Sequence, residues 1–282
     1  MGSTEHITSQ VETLQALTAE SAAMLQSLVA ASGWNQTDSD WDLFVRQGTV
    51  HAVRDAQGRI VASGAVLPLD PGAAWISMIL VAPEVRGQGL GRQVFEQCLR
   101  TTQTAGRVAM LDATPAGEKL YAQFDFVPVW RLSRWQRPGN GAAASEGASQ
   151  SPANVDPLAA LDAMALGLQR GRMLAQIAAR PGSRVVRRAE AFCFVRAGRI
   201  ADQIGPMLAP GESHAAALLD DVAAATSRAL FIDVPDDRPQ MHKQLQACGF
   251  ERVRTFTRMA RGQPVPRGQY AFIHAIAGPE YG

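Results

Sequence analysis

The chain has 282 residues, 46% of them hydrophobic and 19% charged, and a formal net charge of +1. Two domains of ordinary size fit that length, and the near-neutral charge offers no footprint for a nucleic acid. No apolar run reaches the roughly 18 residues of a membrane span, and Met1 to Gln10 is too polar for a signal peptide. The three cysteines, Cys98, Cys193 and Cys248, lie far apart in apolar contexts and read as buried thiols of a cytoplasmic protein.

In chain order, Thr18 to Ala31 carries Ala22, Met24, Leu25, Leu28 and Val29 at helical spacing and stops before Gly33. Trp41 to Val45 reads as a second short helix, stopped by Gly48. Val50–Val53 and Ile60–Val66 flank Asp55-Ala56-Gln57-Gly58, a hairpin signature. Asp70-Pro71-Gly72 turns the chain into a third strand, Trp75–Val81. A helix follows as far as Gly106, then a strand over Val108–Asp112. Another helix opens at Thr114-Pro115 and ends near Asp125, and Phe126–Trp135 closes the unit as strand. Residues 137–155 are small and polar without a period, which predicts a flexible linker.

The second half reads as a worn copy of the first. Phe126–Trp135 lies on Phe250–Met259 without a gap, Val108–Asp112 on Ala229–Asp233, and Met78–Pro83 on Gly205–Pro210. The expected division is therefore 1–136, a linker over 137–155, and 156–282.

The chemistry concentrates where the Trp75–Val81 strand meets the next helix. There Arg86-Gly87-Gln88-Gly89-Leu90-Gly91-Arg92 places glycines at alternate positions. A backbone without side chains turns tightly and lets a ligand approach its N–H groups. The helix adds unpaired donors and the positive end of its dipole, so the turn suits a phosphate or pyrophosphate. A dinucleotide fingerprint fails because position 92 is Arg, and a Walker loop fails for want of Gly-Lys-Ser/Thr. A glycine-rich turn with no ligand is the alternative. After Pro210 the copy has Gly-Glu-Ser-His-Ala-Ala-Ala-Leu, so it kept the frame and lost the alternating glycines.

Arg86, Gly89 and Gly91, with Pro83 upstream, resemble motif A of the GNAT N-acetyltransferase superfamily. The element order matches that fold. The resemblance implies a mixed α/β sheet and two tandem GNAT-like acyl-CoA N-acyltransferase domains, the second degenerate. Leu111–Gly117 with Leu120-Tyr121, Leu166–Arg170 and Ile204-Gly205-Pro206 are similar to a bacterial tandem subgroup that includes holothin acyltransferase-like proteins. Three positions depart from these patterns: Gln169 where Asp is expected, Asp125 where Gly precedes Phe126, and Thr114 where Asn is common. Asp tolerates a left-handed backbone, so the turn at Asp125 should survive.

By that resemblance the co-substrate is acetyl-CoA. Its pyrophosphate would lie on the amides of Gly87 to Arg92, flanked by Arg86 and Arg92, and its pantetheine arm on the main chain of Leu80 and Val81. Tyr121 is the expected general acid for the departing thiolate, although a Tyr there can also cap a turn. The base stays open among Asp112, Glu84, Asp40, His51 and a relayed water, and a cap of the Thr114–Gly117 turn is favoured for Asp112. Trp34 and Trp41 are candidates for an acceptor wall or for core. The five histidines have no ligand spacing, so no metal is expected. The implied partner is a small-molecule amine, with no nucleic acid and no membrane, and a homodimer is compatible. A non-catalytic acetyl-CoA-binding sensor is the alternative reading.

Overall fold

The computed structural model describes residues 10–139 and 155–282, so most of the expected linker lies outside the described residues. The first half comprises β1 (Val11–Thr13), α1 (Ala19–Ala31), α2 (Asp38–Gln47), β2 (Thr49–Arg54), β3 (Ile60–Leu69), β4 (Ala73–Val81), α3 (Leu90–Thr104), β5 (Val108–Ala113), α4 (Pro115–Ala122) and β6 (Val127–Arg137). The second comprises α5 (Asp156–Leu166), α6 (Gly171–Ala178), β7 (Arg184–Arg188), β8 (Ala191–Arg196), β9 (Asp202–Leu208), α7 (Glu212–Ala224), β10 (Leu230–Pro235), α8 (Pro239–Ala247), β11 (Glu251–Arg261) and β12 (Ile273–Ala275).

Local chemistry accounts for the boundaries. Thr18 and Ser21 form a reciprocal capping box at the start of α1, and Thr37 and Asp40 do the same for α2. Asp125 adopts φ +63°, the left-handed turn expected of it. The polar start also contains β1, which pairs with β2 and which the hydrophobic pattern did not reveal.

All strands join one mixed sheet in the order β1-β2-β3-β4-β5-β11-β6-β10-β9-β8-β7, with β12 on β9. The two halves exchange their last long strands. β11 of the second half lies against β5 of the first, and β6 of the first half lies against β10 of the second. β6 and β11 also pair with each other, Leu132 facing Phe256, Arg134 facing Arg254 and Trp130 facing Arg258. Those partners are equivalent positions of the repeat read crosswise, so the halves meet about a local pseudo-two-fold axis.

The exchange divides the hydrophobic core across the chain. Trp135, on β6, packs with Leu218, Leu219, Ile232 and Leu245 of the second half. Phe256, Met259 and Ala260, on β11, pack with the first-half cluster around Trp75 and Phe95. Two buried clamps repeat the symmetry. Arg134 donates to both carboxylate oxygens of Asp233 (2.9 and 2.8 Å), and Arg258 to both of Asp112 (2.9 Å each). Each arginine thus reaches from its own half to the aspartate of the other. A bidentate pair fixes planar geometry as well as charge, so the clamps also set the register of the exchange.

Candidate active site

β4 and β5 run parallel and pair only at Ala73–Val108, Ala74–Ala109 and Trp75–Met110. Beyond Trp75 they diverge into a wedge. The cause is a bulge: the β3 register steps from Ala65–Ser77 to Ser63–Leu80, so Met78 and Ile79 together face Gly64. Met78 takes φ +56° there, and Ser63 Oγ donates to its carbonyl (3.0 Å). Gly64 has no room for a side chain, since a Cβ would lie 2.6 Å from Val94 and 2.7 Å from Ile79.

The glycine turn stands at the end of this wedge. Gly87 and Gly89 have φ of +80° and +82°, and the space a Cβ would take is open at both. Gly89 is the N-cap of α3 and no side chain caps the helix. The first helical bond on its loop side runs from Gln93 N–H to Gly89 O (3.0 Å), which leaves the amides of the first turn free for a ligand. Gly91 has ordinary backbone, and a Cβ there would meet Val81 at 3.2 Å. Leu90 buries its side chain, while Gln88 stays exposed. Arg86 and Arg92 are exposed but tethered: Arg86 Nε donates to Val81 O (3.1 Å), and Arg92 Nε pairs with Glu96 (2.8 Å). The Arg92 guanidinium also lies 4.8 Å from the Phe124 ring centre. Along β4, Ala82 N–H bonds to Val61 O (2.8 Å). By the alternation of an antiparallel pair, Leu80 turns its polar groups to β3 as well, and Val81 turns its own toward the wedge.

Residues on both walls of the wedge line one cavity of about 390 Å³. Ile76 to Ile79 come from β4, and Leu111, Asp112, Thr114 and Tyr121 from β5 and α4. Trp34 and Gln36 close it from the segment between α1 and α2. The second half adds Ile200, Phe231, Val253, Arg254 and Phe256, and the final residues add Pro279 and Glu280.

Tyr121 packs its ring 4.7 Å from that of Phe95 and 6.1 Å from that of Phe126. Gly117 makes room for it, since a Cβ there would come within 3.0 Å of the ring. Among the described residues its hydroxyl has no hydrogen-bond partner and caps no turn. Burial pushes the phenol above its usual value, so it stays protonated at neutral pH. Thr114 caps α4 through its own hydroxyl, accepting from Gly117 N–H (3.2 Å).

The base candidates separate. Asp112 does not cap the Thr114 turn; both its oxygens clamp Arg258. Burial raises this carboxyl and the guanidinium opposes that rise. Asp40 accepts from the Tyr281 hydroxyl (2.6 Å), Arg180 (2.7 Å) and Thr37 N–H (2.6 Å), so its lone pairs are committed. His51 sits between the hydroxyls of Thr13 (3.0 Å) and Thr101 (2.9 Å), away from the cavity lining, and burial lowers its pKa. Glu84 is exposed and lines no part of the cavity. Trp34 belongs to the lining, whereas Trp41 is fully buried core. Of the cysteines, Cys98 and Cys193 are buried, with the Cys193 thiol pushed up to about 12, but Cys248 is half-buried beside Asp220.

Sequence patterning gave no sign of Glu280. It is 3% exposed; one carboxylate oxygen takes Arg196 and the other has no hydrogen-bond partner. Burial raises its pKa, and the Arg196 guanidinium opposes the rise.

The equivalent wedge of the second half is filled. β9 and β10 also pair in parallel over only three positions, Leu230–Asp202, Phe231–Gln203 and Ile232–Ile204. The chain near the C-terminal end then runs between them. Ile273 and Ala275 of β12 pair with Leu208 and Met207, and Ile276 N–H bonds to Asp233 O (3.0 Å). Gly205 is needed for this passage, because a Cβ would fall on the Ile276 carbonyl. At the turn after β9, the Glu212 carboxylate accepts from the amides of Gln240 (2.7 Å) and Met241 (2.9 Å), so a negative charge stands at the start of α7.

A bulged strand beside a splayed parallel pair, present twice about a pseudo-two-fold axis, with a glycine turn opening the next helix in the first half, defines a tandem GNAT fold. Residues 46–128 match one model of the acetyltransferase (GNAT) domain and residues 158–273 match another, so the chain is built of two domains of the GNAT acetyltransferase family. The uncharacterized N-acetyltransferase YitH of Bacillus subtilis is 24% identical over 253 residues, covering 86% of this chain and 89% of that protein. A putative acetyltransferase from Pyrococcus horikoshii superposes with a TM-score of 0.78 at 20% identity, covering 96% of each chain. A tandem GNAT protein from the clavulanic acid biosynthesis pathway has a TM-score of 0.60 at 17% identity, covering 89% of this chain and 98% of that one.

Proposed function

We propose that the chain is an acetyl-CoA-dependent N-acetyltransferase that passes the acetyl group directly to a primary amine of a small molecule in a ternary complex. The observation that carries this reading is the open wedge of the first half beside an open glycine turn, in the same molecule as a wedge that is filled. The residues fit the co-substrate. The space beside Gly87 and Gly89 admits phosphates up to the backbone, the first turn of α3 supplies N–H donors, and the Val81 main chain faces the wedge as an added strand needs. Arg86 and Arg92 stand at the turn with guanidinium nitrogens to spare. The domains proposed to go with this reading are 1–136 and 156–282, with the glycine turn working only in the first. A closer kinship with holothin acyltransferase-like proteins rests on Leu166–Arg170 and Ile204–Pro206.

The chemistry falls to few groups. Main-chain N–H groups of β4 beside the bulge polarise the thioester carbonyl as oxyanion donors do. Tyr121, kept protonated by burial, gives its proton to the departing thiolate. Direct attack is favoured over an acyl-enzyme, because the cavity lining contains no cysteine and no histidine to activate Ser77. Thiol release from acetyl-CoA across amino acids, polyamines, aminoglycosides and peptides tests this reading. Turnover with at least one amine is expected. Binding of acetyl-CoA with no turnover across the panel supports a sensor, and no binding at millimolar acetyl-CoA removes the co-substrate.

A further inference from the structure

We propose that Glu280 is the catalytic base of the first half: it receives the ammonium group of the acceptor and takes its proton before attack. This rests on the acetyltransferase reading above and assigns the step that reading leaves open.

Within the cavity the candidates for a base are few. Its lining contains two carboxylates, Asp112 and Glu280, and no histidine. Asp112 spends both oxygens on Arg258. Glu280 spends one on Arg196 and keeps one without a partner, at 3% exposure. An orphaned carboxylate oxygen in the interior is costly unless a donor comes to it, and a primary ammonium brings three donors.

The segment bearing Glu280 is pinned on both sides. Upstream, β12 is locked into the second-half wedge. The Pro279 carbonyl then accepts from Trp75 Nε1 (2.9 Å), and the Tyr281 ring stacks on Phe44 at 5.4 Å. The filling of one wedge therefore delivers a carboxylate to the cavity of the other, at a position fixed by the fold rather than by a free tail. The charged groups facing it are Arg196 from β8, Arg134 from β6 and Asp40 from α2, with Tyr281 next along the chain. The two arginines favour the carboxylate form, while Asp40 and burial favour its protonation.

The proton balance closes. Glu280 takes one proton from R–NH3+, and the nitrogen lone pair forms the C–N bond as the carbonyl π pair moves to oxygen. Collapse restores C=O and breaks C–S. The thiolate leaves with the Tyr121 proton, and the tyrosinate recovers a proton from the new amide nitrogen. Glu280 returns its proton to water, so the products are the amide, the thiol and one proton.

The test uses the full chain with Glu280→Gln, assayed with an amine that turns over and, by calorimetry with CoA present, with butylammonium chloride. Expected are a kcat/KM lowered about a hundredfold or more, loss of the low-pH limb of its pH profile, butylammonium binding weakened at least tenfold, and unchanged acetyl-CoA affinity. Glu280→Asp keeps a carboxylate and is expected to keep the low-pH limb at reduced kcat, which decides the matter should the Gln variant not fold. A folded Glu280→Gln with wild-type turnover and pH limb overturns the proposal while leaving the acetyltransferase reading intact. Wild-type protein that binds no butylammonium also overturns it, whereas absent acetyl-CoA binding sinks the broader reading instead.

Discussion

At the scale of the residue, the site depends on backbone that few side chains tolerate. Gly89 at φ +82° with open space beside it is strained by any side chain, and a Cβ there would point where phosphates approach. Gly89→Ala is expected to cost about 1 kcal/mol of stability and to weaken acetyl-CoA binding about tenfold or more, measured by thermal unfolding and calorimetry. Tyr121→Phe removes one hydroxyl from a ring otherwise held by packing. Its kcat should fall about a hundredfold while acetyl-CoA affinity stays constant; an unchanged rate removes Tyr121 as the acid. Much at this scale was legible in the sequence. The glycine turn, the left-handed Asp125 and the helix start at Thr114-Pro115 are local, and residue type with spacing is enough for them. Glu280 was not legible, because its role depends on where a distant segment ends up and Pro279-Glu280-Tyr281 has no motif of its own. Asp112 was misread for the same reason: its partner lies on a strand of the other half.

At the scale of the element, two features carry consequences. The exchanged strands are locked by Arg258–Asp112 and Arg134–Asp233, each buried. Arg258→Ala leaves Asp112 buried without its partner and removes a cation stacked 4.2 Å from Trp130. A loss of roughly 3–5 kcal/mol in denaturant unfolding is expected, with Asp112→Asn added to Arg258→Ala recovering part of it. The second feature is β12. His274 sits in it, 1% exposed, hydrogen-bonded to the Ala209 carbonyl at 3.2 Å, its pKa lowered by burial to about 4. A folded pKa below the unfolded value of 6.5 means that protonation favours the unfolded chain. Its contribution is therefore complete above about pH 6.5 and lost as pH falls toward 4, by about 3 kcal/mol at roughly 1.4 kcal/mol per unit. His274→Gln should flatten the stability profile across that window; an equal acid loss in the variant contradicts the assignment. Element positions were largely readable from hydrophobic period, but the strand exchange was not, since two apolar strands do not say which neighbour they choose. The repeat did hold a clue. It superposed Arg134 on Arg258 and Asp112 on Asp233, four charges in apolar strands, which is the pattern of a buried reciprocal pair.

At the scale of the whole molecule, neither half is complete alone. The first half sends Trp135 into the other core and receives Phe256 and Met259 in return. A chain cut in the 140–154 segment should give halves that fold only together; a first half that folds alone with a cooperative transition contradicts the exchange. The same interdependence explains how a duplicated fold comes to hold one open wedge and one filled one. The second wedge is closed by β12 and its helix start faces Glu212, and the closing segment continues into the first cavity with Pro279 and Glu280. The measurement that reaches this account most directly is calorimetric titration of the full chain with acetyl-CoA. One site per chain is expected, weakened in Gly89→Ala; two sites, no site, or one site indifferent to Gly89→Ala contradicts it.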